Sequence, residues 1–151
     1  MPLWVVRQGT PGPTVTITLV SAAPALFPSP GYYALALDYT ANSAIVTAAA
    51  PAQPGDLIIL YAAGLGSTSP NTQTGEIPQF GAPISAFKSF QVLLNGQAID
   101  PTKVPYAGQA PGFPGVYQIN FYLPGNCPPN PQLQLAIGPQ VSVAGIMLAV
   151  Q

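Results

Sequence analysis

Tyr117-Gln118-Ile119-Asn120-Phe121-Tyr122-Leu123 alternates its residues with a period of two. That is the pattern of a β-strand with one buried face. Tyr117, Ile119, Phe121 and Leu123 form the row expected to point inward. Leu57-Ile58-Ile59-Leu60-Tyr61-Ala62 shows no such alternation. A short continuous apolar run behind the turn Pro54-Gly55-Asp56 predicts a central strand buried on both faces.

Working outward from these two stretches, the same signals recur. Leu133, Leu135 and Ile137 alternate with Gln132, Gln134 and Ala136, and Gly138-Pro139 then turns the chain into a closing apolar strand over 141–150. Residues 90–94 lead into Asn95-Gly96, a strong short hairpin signal, and 97–99 return. Tyr33, Leu35 and Leu37 alternate with Ala34, Ala36 and Asp38. Short strands are predicted over 44–47 and 103–107, and residues 67–83 read as a long polar loop. The total is eight to ten short strands with turn signals every 8–12 residues. No segment keeps a 3.6-residue apolar period. The expected fold class is all-β, an immunoglobulin-like β-sandwich.

The 151 residues suit one domain, and a 48% hydrophobic content supplies a core and argues against intrinsic disorder. Charge is the outlier: three basic and four acidic residues, with no His. Arg7, Lys88 and Lys103 cannot build the basic face that phosphate neutralisation needs, so nucleic acid is excluded as a partner. Without His there is no His-ligated metal and no His-based catalysis. A single Cys excludes an internal disulfide and a Cys-rich zinc site. A compact monomer of this size exposes roughly 7,000 Å², so charges are sparse on its surface. Either the surface is Thr, Ser, Asn, Gln and Pro, or much of it is covered by a partner or by further copies.

Residues 1–6 are apolar, but no 7–15-residue apolar core follows, so no secretory signal peptide is expected here. The longest apolar stretches, 57–65 and 141–150, are far shorter than the roughly 20 residues of a membrane-spanning helix, and no transmembrane helix is predicted.

Thr14-Val15-Thr16-Ile17-Thr18-Leu19-Val20 alternates polar and apolar residues and predicts a strand whose apolar row, Val15, Ile17 and Leu19, needs cover. Behind it, residues 23–31 carry Pro24, Pro28, Pro30 and Gly31. This predicts a stiff hinge with Leu26 and Phe27 tucked against the body. The chain is accordingly divided into a strand segment with its Pro-rich hinge (1–31) and a sandwich domain (32–151). Three outcomes are open for residues 14–20: pairing with their own sheet, strand addition to a neighbouring subunit, or a disordered arm.

Three strings carry a resemblance: Ala23-Pro24-Ala25-Leu26-Phe27; Pro54-Gly55-Asp56 followed by 57–66; and Tyr106-Ala107-Gly108-Gln109-Ala110-Pro111-Gly112-Phe113-Pro114-Gly115-Val116-Tyr117-Gln118-Ile119-Asn120-Phe121 with Leu123-Pro124. Over roughly 14–150 the chain resembles the uncharacterised Ig-like C-terminal domain of secreted acidobacterial (Solibacter-type) proteins. The middle string alone is distantly similar to IPT/TIG-type Ig domains. The resemblance implies an extracellular or cell-surface location and a module appended to larger proteins. It implies no activity. In that family a strand like 14–20 ends one Ig-like domain and Ala-Pro-x-Leu-Phe opens the linker to the next. Here only 13 residues stand before the strand.

The remaining candidates are weak. Asp38, Asp56, Glu76 and Asp100 do not cluster in sequence, and Asp56 and Asp100 sit in predicted turns, where Asp is an ordinary turn former. Neither a carboxylate pair for glycoside hydrolysis nor a calcium loop is indicated. Gly64-Leu65-Gly66-Ser67-Thr68 lacks the Lys and helix of a phosphate loop. A Ser nucleophile would have only Lys88 or Lys103 as base. Tyr117 and Phe121 are expected in the core, whereas Tyr32, Tyr39 and Tyr122 are candidates for stacking on a glycan. Cys127, in a Pro-rich turn, is a free thiol or an intermolecular link. No catalytic, metal or cofactor residue is assigned. The expectation is a non-enzymatic structural or interaction module of an extracellular or envelope assembly, its partners other protein subunits, joined through residues 14–20. The alternative is a carbohydrate-binding accessory module.

Overall fold

The computed structural model describes residues 1–73 and 75–151. It is all-β with several sheets. The largest has seven strands, and Leu57–Ala63 is its hub. On one side Leu57–Ala63 pairs antiparallel with Tyr117–Tyr122, followed by Tyr106–Gln109 and Ala82–Pro83. On the other side its edge is shared. Ala36–Asp38 pairs with residues 58–60 and is flanked by Ala44–Ile45, while Ala25–Leu26 takes residues 62–63. The second sheet has four strands, Gln97–Ala98, Phe90–Leu94, Leu133–Ile137 and Gln140–Val141 in spatial order. Among the described residues no helix is long and apolar enough to cross a membrane.

The two sheets share one buried cluster. Ile58, Leu60, Ile119 and Phe121 from the seven-stranded sheet join Val92, Leu94, Leu133 and Leu135 from the four-stranded one, with Leu148 and Val150 of the closing segment. The alternation in 117–123 therefore reads correctly: Ile119, Phe121 and Leu123 are buried. Asn95-Gly96 makes the expected hairpin between Phe90–Leu94 and Gln97–Ala98, both residues at positive φ.

One expectation about side-chain direction is corrected. Residues 57–62 are not buried on both faces. Ile58, Leu60 and Ala62 are fully buried, but Leu57, Ile59 and Tyr61 face outward and stay half-exposed. In the consecutive strands Tyr33–Ala34 and Ala36–Asp38 the small residues Ala34 and Ala36 point inward, and Leu35 and Leu37 point out. Ala34 and Ala36 join Ile58 and Leu60 of the neighbouring strand in the core cluster.

The predicted hinge is also corrected. Residues 22–29 are part of the sheet assembly. Ala22 and Leu26 belong to the core cluster, Pro24 is buried, and Pro28–Ser29 pairs with Tyr33–Ala34. Proline is tolerated because Ala25–Leu26 is a two-residue edge strand that asks little of the ladder. Backbone closeness fixes the segment: Ala23 N–H donates to Gly64 O at 2.8 Å, and a Cβ on Gly64 would lie 2.0 Å from Ala23 O. Gly64 and Gly66, at φ +74° and +86°, thus make room for residues 21–23 rather than cradling a phosphate.

Residues 14–20 do not pair with either of the two main sheets. Only Val15–Thr16 is a strand, and it pairs with Pro2–Leu3. Val6–Arg7 pairs with Thr10–Pro11 around Gln8-Gly9, whose φ values of +50° and +80° are those of a two-residue type I′ hairpin turn. Residues 1–17 thus form a hairpin of their own, closed by Ile17 N–H to Met1 O at 2.9 Å and the Met1 ammonium to Ile17 O at 2.7 Å. Nearly all of it is exposed. The total accessible surface of 8895 Å² exceeds the roughly 7,000 Å² of a compact monomer, as an uncovered hairpin requires.

Candidate interaction surface

Strand register assembles the outward residues of the seven-stranded sheet into rows. Tyr39 N–H donates to Leu57 O and Leu57 stands opposite Tyr122, giving the row Tyr39, Leu57, Tyr122. The next row runs Ile45, Leu37, Ile59, Asn120. Beyond it Tyr61 lies between Leu35 and Gln118. Ile45 is 57% exposed, Tyr39 59% and Tyr122 41%. Past the third row the surface dips into a groove of about 350 Å³ lined by Phe27, Leu35, Tyr61, Phe113 and Val116, with no charged group among them.

An antiparallel sheet with one solvated face normally carries polar residues there. Here large apolar side chains are turned outward while alanines are turned in. Contiguous exposed apolar surface of this kind marks sites of interaction rather than ordinary solvent contact.

In comparisons with known proteins, no family model, curated protein or solved structure matches the chain.

Of the residues singled out in the sequence, Tyr39 and Tyr122 fall in one row of this face. Tyr32 does not: it sits in the turn before Tyr33–Ala34, 75% exposed with φ +64°. Val15 and Leu19 are exposed and Ile17 half-buried, all within or just after the separate hairpin. Among the hinge residues, Phe27 lines the groove, Pro24 is buried, and Pro28 and Pro30 are exposed. Leu35, Leu37, Ile45, Ile59, Tyr61 and Phe113 were not anticipated as surface residues. The signal available was the missing alternation in 57–62, which says that both faces need cover without saying what covers the second.

The other chemistry is structural. Asp38, 8% exposed, accepts from the N–H groups of Thr40 and Ala41 at 2.9 and 3.2 Å. Asp56 accepts from Gln53 N–H at 2.7 Å. The fold brings these two carboxyls together, which sequence spacing did not show. Partial burial first, then the Asp38 charge and a shared hydrogen bond, raise the Asp56 pKa above its ordinary value against the lowering effect of the Gln53 N–H. Asp100 caps the 3-10 turn Pro101–Lys103, accepting from Thr102 N–H and Oγ1, and these bonds lower its pKa. Cys127 is a free, buried thiol, its Sγ 3.6 Å from Pro128 O, and burial raises its pKa. Burial that raises a thiol's pKa lowers its thiolate fraction and works against nucleophilic reactivity. A small polar pocket of about 120 Å³ holds Thr72 and Gln109, joined by a 2.7 Å hydrogen bond, with Tyr117 donating to Gly66 O beside it. No charged residue lines it.

Proposed function

We propose that the chain is an immunoglobulin-like β-sandwich serving as a non-enzymatic structural and interaction module of an extracellular or envelope-associated assembly, with the outward face of the seven-stranded sheet as its protein-binding surface. One observation carries the reading: Leu35 and Leu37 face out where Ala34 and Ala36 face in. On that face Leu35 and Leu37 stand beside Ile45, Ile59 and Tyr61, and contiguous apolar surface left open marks an interaction site. The sandwich assignment draws support from two sheets sharing one core. The extracellular or envelope setting rests on the resemblance to the acidobacterial Ig-like domain.

Leu37→Lys tests the reading. If this face is a docking surface, the variant keeps the thermal stability of the monomer within about 1 kcal/mol, as surface changes do. Light scattering then shows the net attraction between wild-type molecules replaced by repulsion. A variant that unfolds, or one with unchanged intermolecular attraction, refutes it.

A carbohydrate-binding reading is favoured only by Tyr39 and Tyr122, which flank Leu57 two inter-strand spacings apart, roughly 9.5 Å. Retardation in gels containing cell-wall polysaccharide, lost in Tyr122→Ala, is the result that would establish it.

A further inference from the structure

Two apolar surfaces of this chain lie open at once. One is the groove of Phe27, Leu35, Tyr61, Phe113 and Val116. The other is the hairpin of residues 1–17 with the three residues that follow. Eight large apolar residues within 1–20, Trp4 among them, are 49–74% exposed, and Arg7 is the only charged side chain. The hairpin is not a frayed segment. Its type I′ turn and its two ladders hold it in one shape, so little ordering is needed when it docks.

We propose that the hairpin of one copy covers the groove of a second copy, and the reverse, with Trp4 seated between Tyr61 and Phe113. This rests on the reading of the outward face as a protein-binding surface and names its occupant. Position supports it. Residues 18–20 leave the hairpin exposed, and the chain is next fixed at Ala22 and Ala23 against Gly64, three residues past Tyr61. The root of the hairpin and the groove therefore lie at the same end of the sheet. A two-fold axis beside that end brings both hairpins to both grooves in one isologous contact.

Area decides between one-way and reciprocal docking. At about 150–250 Å² for a large side chain, the exposed apolar residues of 1–20 amount to roughly 800–900 Å². A two-stranded ribbon presents about half of that to one partner. One hairpin on one groove then buries on the order of 800 Å² in total, the size of a weak contact. The reciprocal exchange buries about 1,600 Å², the size of a specific stable interface. Charge sets no barrier, because neither surface carries a cluster of like charges.

Trp4 is the only tryptophan, so its emission reports directly on whether the hairpin is covered. The experiment follows mass and Trp emission of the full chain over a dilution series. The expected result is a mass of twice 15.5 kDa at high concentration, with Trp4 emission moving to shorter wavelength along the same curve. Phe113→Arg, at a residue 61% exposed, should weaken the dimer at least tenfold and return Trp4 emission to that of an exposed indole. Three results overturn the exchange. One is a dimer in which Trp4 stays exposed; if Leu37→Lys also dissociates that dimer, the protein-binding face stands and only its occupant is wrong. Another is shortened emission in a particle that stays monomeric on concentration, which places the hairpin on its own groove. The last is a ladder of growing masses, which shows one-way docking.

Discussion

Ile119 and Ile59 sit in adjacent rows of the same strand pair but on opposite faces, and replacing each by Ala gives a matched measurement. Ile119 is fully buried opposite Leu60, whereas Ile59 faces outward beside Leu37. Ile→Ala removes three carbons, worth about 0.8 kcal/mol each on transfer from water, or about 2.4 kcal/mol. At position 119 a cavity remains. If about 40 Å³ survives relaxation, at about 24 cal/mol per Å³ it adds roughly 1 kcal/mol. The expected cost for Ile119→Ala is about 3–4 kcal/mol, inside the usual range of 2–5. Ile59→Ala loses only the buried part of its transfer term and leaves no cavity, so it should cost about 1 kcal/mol or less. Urea unfolding at low protein concentration reads both, with the m-value checked for constancy. Equal costs would refute the assignment of faces, since they would require Ile59 to be covered within one chain. A cost for Ile59→Ala that appears only at high concentration would be the mark of cover by a partner.

Gly64→Ala should destabilise more than any surface change, because its Cβ would meet Ala23 O at 2.0 Å and its φ is +74°. Loss of several kcal/mol in urea, with early proteolysis within 18–30, is expected, and a variant of wild-type stability would show that residues 21–26 are not clamped there. For Asp56 the folded pKa is raised above 3.8, so its contribution to stability is fully present below pH 3.8 and is lost as pH rises through the elevated value. Asp38→Asn removes the neighbouring charge while keeping an oxygen for Thr40 and Ala41. It should be more stable than wild type at pH 7, with the difference shrinking toward pH 3.5, and a difference that does not vary with pH would sink the pairing.

Where one face is buried and alternation is strict, as in 117–123, the sequence was sufficient for strand, face and core residues together. At 57–62 the apolar run identified the central strand but misled about its second face, because hydrophobicity records the need for cover and not its source. At 33–38 period-two alternation was visible but did not say which row points inward, because alternation alone does not identify the buried face. The prolines of 24–30 argued against a central strand. Edge position escaped that reading, because it depends on Gly64 accepting a backbone contact from a segment 40 residues away. The pairing within 1–17 was missed because Gln8-Gly9 is a weaker turn signal than Asn95-Gly96. The candidate surface was legible only in Tyr39 and Tyr122, since the others are core-type residues that register alone turns outward.

The hub position of Leu57–Ala63 has a consequence for the chain as it is made. Its principal partner, Tyr117–Tyr122, lies about 60 residues later. At roughly 5–20 residues per second of synthesis, the most apolar strand of the protein waits about 3–12 s with that edge unpaired. The charged residues that normally guard such a segment against aggregation are scarce here, Asp56 being the only one adjacent. Over that interval only the other edge, facing Ala36–Asp38 and Ala25–Leu26, has its partners already made.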